Sequence, residues 1–138
     1  MDQGGALVKV LALDYGSART GVAVSDPTGT IARPLCVVER VATAGGLQRL
    51  VELIETEGVD LVVVGMPLTM RGERGEQAIE TERFVDELRR ALGRPIETFD
   101  ERFTTDLAEQ TPSDAPEDAR AAAHLLSGYL TWSSGAPV

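Results

Sequence analysis

The sequence predicts one α/β domain on a mixed five-stranded sheet, an antiparallel meander on one side and parallel strands on the other, flanked by helices. Three observations lead there. Three short apolar, β-branched runs come first, separated by turn residues. Two segments with apolar residues at helical spacing follow, each succeeded by a further strand-like run. The 138 residues, 43% hydrophobic and 25% charged, suffice for one core and leave no room for a second domain.

Residues 7–13 form the first apolar run, which ends in Asp14-Tyr15-Gly16-Ser17, a strand followed by a turn. Residues 21–25 and 32–38 flank Asp26-Pro27-Thr28-Gly29, whose proline and glycine mark a turn between antiparallel partners. Over residues 46–57, Leu47, Leu50, Val51, Leu53 and Ile54 recur at helical spacing, and Gly58 is the expected stop. Residues 59–66 are apolar around Asp60, as suits a parallel strand covered on both faces. A polar loop over 71–75, with Arg71 and Arg74, leads into a helix over 76–92, with Ile79, Phe84, Val85, Leu88 and Leu92 as its inner stripe. Gly93-Arg94-Pro95 ends it. Residues 96–99 then alternate as a strand that delivers Asp100-Glu101-Arg102 to its end. A short helix near 105–109, a turn-rich stretch over 111–116 and a closing helix over 117–132 complete the chain, and residues 133–138 are expected to fray.

Composition narrows the chemistry. No apolar stretch approaches the roughly 18–20 residues that span a bilayer, and the first residues lack a basic secretory segment, so the expectation is a cytoplasmic protein without membrane contact. Cys36 is the only cysteine and His124 the only histidine, which excludes an intrachain disulfide and a Cys- or His-rich zinc site. Any metal must sit mainly on carboxylates. A net charge of −9 speaks against a broad basic face for nucleic acid, so phosphate contact would fall to a few local arginines beside metal-neutralised acids. Neither GxxxxGK nor GxGxxG occurs, so no nucleotide cofactor is expected.

In open α/β sheets the ligand crevice lies at the carboxyl ends of the strands, where this chain sends Asp14 and Asp100-Glu101. Converging carboxylates at the ends of apolar strands are unfavourable unless a cation or hydrogen bonds compensate. Magnesium or manganese would resolve this, and two such ions about 3.5–4 Å apart serve phosphodiester hydrolysis. The competing reading gives Asp14 and Asp100 only structural work, capping a turn before Gly16 and the helix that follows.

Residues 14–26, Asp-Tyr-Gly-Ser-Ala-Arg-Thr-Gly-Val-Ala-Val-Ser-Asp, resemble the opening motif of the RuvX (YqgF) family, bacterial proteins named as pre-16S rRNA nucleases and as Holliday junction resolvases. Three further blocks are similar to that family: Val63-Val64-Gly65-Met66-Pro67-Leu68 through Met70, Gly72 and Gly75; Asp100-Glu101-Arg102-Phe103-Thr104-Thr105; and Asp118 followed by Ala121-Ala122, Leu126, Tyr129 and Leu130. The resemblance implies a ribonuclease H-like fold with Asp14, Glu101 and Asp118 as catalytic, metal-binding carboxylates for two Mg2+ or Mn2+ ions. Because neighbouring strand residues face opposite ways, Glu101 is the expected ligand, with Asp100 and Gly16 supporting the site. Arg19 and Arg102 are the expected phosphate contacts. The linker between Thr105 and Asp118 is shorter and less basic than in many relatives. The implied activity is metal-dependent cleavage of structured nucleic acid, foremost in maturing the 5′ end of pre-16S ribosomal RNA. Resolution of branched DNA and a non-catalytic nucleic-acid-binding regulatory module are the alternatives, and a homodimer is a compatible assembly. His124, Phe84, Tyr129 and Trp132 are expected to pack rather than to act.

Overall fold

A computed structural model describes residues 8–69, 71–103 and 115–133. Strands β1 (Val10–Asp14), β2 (Arg19–Ser25) and β3 (Ala32–Glu39) precede helix α1 (Ala44–Glu57). Strand β4 (Leu61–Met66), helix α2 (Glu76–Ala91), strand β5 (Ile96–Asp100), a 3-10 turn (Glu101–Phe103) and helix α3 (Glu117–Ser133) follow. The sheet order is β3-β2-β1-β4-β5. The β1–β2 and β2–β3 pairings are antiparallel, and β1–β4 and β4–β5 are parallel. This is the mixed sheet with a meander side that the pattern of runs predicts.

The alternation of strand side chains distributes them over two cores. Leu11, Leu13, Val22, Val24, Val62 and Val64 pack with Leu50 and Ile54 of α1 and Phe84, Val85 and Leu88 of α2. Val10, Ala12, Ala23, Val63 and Phe99 pack on the other face with Ala122, Ala123, Leu125, Leu126 and Tyr129 of α3. Coverage of both faces explains why β1 and β4 read as unbroken apolar runs. The hinge of the β2–β3 hairpin is Asp26, whose carboxylate accepts from the amides of Thr30 and Ile31 at 2.8 and 2.9 Å and is held down at a pKa of about 2 by these bonds.

Thr43 caps α1, its hydroxyl accepting from the Gly46 amide at 3.1 Å, and Gly58 ends the helix in the left-handed region at φ 64°. Two expectations need correction. Ile79 is 40% exposed, and Ala78 and Thr81 take its place beside Phe84, Val85 and Leu88 on the buried stripe of α2, with Leu92 buried just past the helix end. Five residues separate Ile79 from Phe84, about 140° around the helix axis, so the two cannot share a face. Lys9 precedes β1 rather than lying within it, and its ammonium donates to the Glu57 carbonyl at 2.8 Å. The expected short helix near 105–109, residues 111–114 of the turn-rich stretch and the tail from 134 onward lie outside the described residues, while Ser133 closes α3. Among the described residues no helix is long and apolar enough to cross a membrane.

The seat of α3 is set by glycine. A Cβ on Gly21 would stand 1.8 Å from the Asp118 carbonyl oxygen, so the first turn of α3 rests directly on the β2 backbone. Because neither backbone can yield locally, Gly21→Ala should lift α3 from the sheet and cost roughly 3 kcal/mol, a melting-temperature drop on the order of 10 °C. Gly58→Ala meets no obstructing atom, only the left-handed backbone, and should cost roughly 1–2 kcal/mol. Chemical denaturation of both variants checks the order; a Gly58 variant weaker than the Gly21 variant would contradict this view of the α3 seat.

Candidate active site

Three elements end at the same edge of the sheet. Asp14 is the last residue of β1, and Glu101 opens the 3-10 turn straight after β5. Between them β4 contributes Gly65, where a Cβ would stand 2.8 Å from Glu101 Oε2 and 2.9 Å from its Cγ. The missing side chain lets Glu101 lie across β4 to reach Asp14. The sequence sets Gly65 apart only as part of a block that resembles the family. A glycine inside an otherwise β-branched strand was the available signal that something approaches the backbone closely there.

The Asp14 and Glu101 carboxyls lie within hydrogen-bond reach of each other, an arrangement that favours a proton on Glu101. Burial, reinforced by the Asp14 charge and by that hydrogen bond, pushes Glu101 up to about 7. Asp14 is also raised, mainly by burial and further by the negative charge of Asp118, although the bond from Glu101 opposes this. Asp118 lies in the first turn of α3, and its Oδ2 accepts from Arg19 Nε at 2.9 Å. The structure thus brings Asp14 and Glu101 into contact and keeps Asp118 within electrostatic reach on the arm of Arg19. Among the described residues no three acidic, histidine or cysteine side chains are grouped closely enough to hold a metal ion.

Asp100 turns away from this pair. Arg102 holds it through Nη2 at 2.6 Å and Nε at 2.9 Å, and its backbone amide donates to Oδ1 at 2.9 Å. These bonds keep the Asp100 carboxyl below the usual carboxylate range. Gly16 closes the turn after β1: a Cβ there would meet the Arg19 carbonyl at 2.4 Å, and buried Thr20 bonds to its backbone, so Arg19 starts β2 beside the acids. Arg19 and Arg102, the expected phosphate contacts, are both paired with carboxylates.

A cleft of about 230 Å³ opens beside the pair, walled by Asp14, Tyr15, Gly16 and Ser17 on one side and by Gln77, Glu80 and Thr81 of α2 on the other. Sequence analysis did not single out Tyr15 or Glu80. They are 65 residues apart, and their hydrogen bond of 2.8 Å leaves no periodic trace. Burial and that bond push the Tyr15 hydroxyl up to about 12, so it remains a donor at any ordinary pH. Elsewhere, Phe84 stacks on Tyr15, and Tyr129 meets Phe99 edge-on, while Trp132 at the end of α3 touches both Phe99 and Tyr129 yet stays 62% exposed. His124 is half-buried within α3.

Residues 8–131 match the RuvX family, described as Holliday junction resolvase. The chain belongs to the RuvX family. A relative from Chloroflexus aurantiacus named "putative pre-16S rRNA nuclease" is 50% identical over 130 residues, covering 88% of this chain and 85% of its own. One of the same name from Sulfurihydrogenibium is 38% identical over 134 residues, covering 88% and 89%. Among solved structures, Thermus thermophilus RuvC in complex with a Holliday junction substrate superposes with a TM-score of 0.67 at 15% identity, over 93% of this chain and 96% of RuvC. A second Thermus thermophilus RuvC structure gives 0.61 at 17% identity over 92% and 96%. At that identity the likeness is one of fold, and it makes the RuvX chain ribonuclease H-like.

The shared proton carries a sign. Glu101 retains its proton in the folded chain up to about pH 7, whereas the unfolded chain releases it near 4.5, so folding takes up protons in that window and stability falls as pH climbs through it. In chelator, urea midpoints of the wild type should decline between these values. Glu101→Gln should flatten the decline and match or exceed wild type near about pH 8, where the repulsion is fullest. A wild-type profile as flat as that of the variant would show that the two carboxyls do not meet in solution.

Proposed function

We propose that this RuvX-family chain is a divalent-metal-dependent nuclease acting in the cytoplasm on structured RNA, and that its substrate is the 5′ precursor end of 16S ribosomal RNA. By family and fold the chain is a hydrolase of phosphodiester bonds, a nuclease. The observation that carries the metal-dependent reading is the Asp14–Glu101 pair, two carboxyls brought together across Gly65 at the end of the sheet, where burial and mutual repulsion disfavour both being charged. A hard cation with oxygen ligands fits that donor set, because it replaces the proton and lets both groups ionise. Asp14 and Glu101 would hold it, with Asp118 joining them on release from Arg19. When bound, Mg2+ or Mn2+ supplies an activated water and charge neutralisation at the phosphoryl oxygens.

The protein's own part is to hold and orient. Asp14 and Glu101 would hold the ion that meets the reacting phosphate at the end of the sheet, and Gly65 keeps Glu101 stretched over β4. Arg19, with 65% of its side chain exposed, can exchange Asp118 for a substrate phosphate, a trade made easy because exposed ion pairs contribute only about 0–1 kcal/mol. Arg102 can offer the same fork while it positions the loop through Asp100. With a net charge of −9, tight nonspecific binding without metal is not expected. The ribosomal substrate follows the names of the relatives at up to 50% identity; the family description supports branched DNA as the second reading.

Incubation of the protein with a pre-16S RNA fragment and with a four-way DNA junction, in magnesium, manganese or excess EDTA, tests both. We expect cleavage of the RNA that needs either metal and disappears in EDTA. Asp14→Asn and Glu101→Gln should each reduce the rate at least about a thousandfold at unchanged fold, while Asp100→Asn should cost less. Undiminished cleavage in EDTA, or an Asp100 variant more damaged than the Glu101 variant, would sink this assignment of roles.

A further inference from the structure

Alternation along β1 sends Asp14 to the α3 face and Tyr15 to the opposite one, where Tyr15 packs on the α1–α2 core. There its ring stacks on Phe84 with centroids 4.7 Å apart and planes inclined by 22°. Phe84 is only 3% exposed and therefore a fixed floor. One helical turn earlier on α2, Glu80 accepts the Tyr15 hydroxyl at 2.8 Å. The ring is thus held at its face by a phenyl group and at its tip by a carboxylate. The ring so held borders the cleft that also contains Asp14 and Glu101.

The chemistry of that cleft selects its occupant. Asp14, Glu80 and Glu101 make it acidic, so a second phosphate is repelled, while Gln77 and Thr81 offer neutral hydrogen-bonding groups. With about 230 Å³ it has room for a single planar group and none for a duplex. What lies next to a phosphate engaged at the Asp14–Glu101 end of the sheet is the sugar and base of a neighbouring nucleotide. We propose that Tyr15 is a positioning residue, a rigid platform on which one unstacked nucleobase adjacent to the scissile phosphate stacks, with Phe84 beneath the ring and Glu80 fixing its plane. This rests on the nuclease reading and adds to it a requirement: the substrate must present at least one base out of its helical stack at the cut.

The test is a coupling measurement between ring and base. Fluorescence anisotropy in magnesium, in the Glu101→Gln background, gives affinities for an RNA hairpin with a single-stranded 5′ extension, intact or with an abasic residue walked through the extension and the junction. One abasic position, adjacent to the phosphate that the unsubstituted enzyme cuts, should weaken binding on the order of 5- to 150-fold. Tyr15→Leu, which keeps an apolar group on Phe84, should weaken the intact RNA by a similar factor and become indifferent to that position. Tyr15→Phe should retain the coupling. Losses that multiply at every position overturn the platform, as does a scan of the Tyr15-bearing protein without a sensitive position, a result independent of how well Tyr15→Leu folds. Absence of metal-dependent cleavage by the unsubstituted protein would instead remove the nuclease reading, whatever the scan shows.

Discussion

Two carboxyl groups in contact at the end of a buried sheet are the constraint around which the chain is arranged. Left to themselves, Asp14 and Glu101 would separate. They stay together because β1 and β5 end at the same edge, because Gly65 removes the side chain that would part them, and because a retained proton screens their charge. Gly21 makes the same kind of provision for Asp118, allowing the α3 backbone to settle on β2 so closely that the third acid acts electrostatically on Asp14. Both glycines permit contact, and each is found where an acid must approach.

The arginines balance this accumulation of charge without entering it. Arg19 takes Asp118 and Arg102 takes Asp100, so each flanking acid is neutralised while the central pair is left to the proton. Two of the thirteen lysines and arginines thus stand beside this cluster. The same guanidinium groups have the geometry to meet phosphate, and holding them on carboxylates at the rim stores them in position.

The order of strands and helices was legible because both sheet faces are covered, which prints long apolar runs for β1 and β4 and a helical stripe for α1. The Gly58 stop was equally readable from local chemistry. What escaped is tertiary. Helical spacing alone sets Ile79 apart from Phe84, so that misplacement was readable in the sequence, whereas the position of the sheet was needed to show that Ala78 and Thr81 face it. Arg19 meets Asp118 across 99 positions of sequence, and Tyr15 meets Glu80 across 65. No periodicity encodes such pairs. The motif supplied Asp14, Glu101 and Asp118 as names, whereas the strand geometry explains why Glu101 and not its neighbour lies beside Asp14.

The retained proton has a consequence for the history of the chain. A pair of like groups pressed together lowers the stability of the fold near neutral pH, so neutral substitutions there are ones that selection for folding alone would welcome. Mutations reach such positions readily, and a lineage relieved of the need to cut nucleic acid would lose these acids early while keeping its core. Carrying both, together with the glycine that lets them approach, leaves the fold less stable near neutral pH than a neutral pair would.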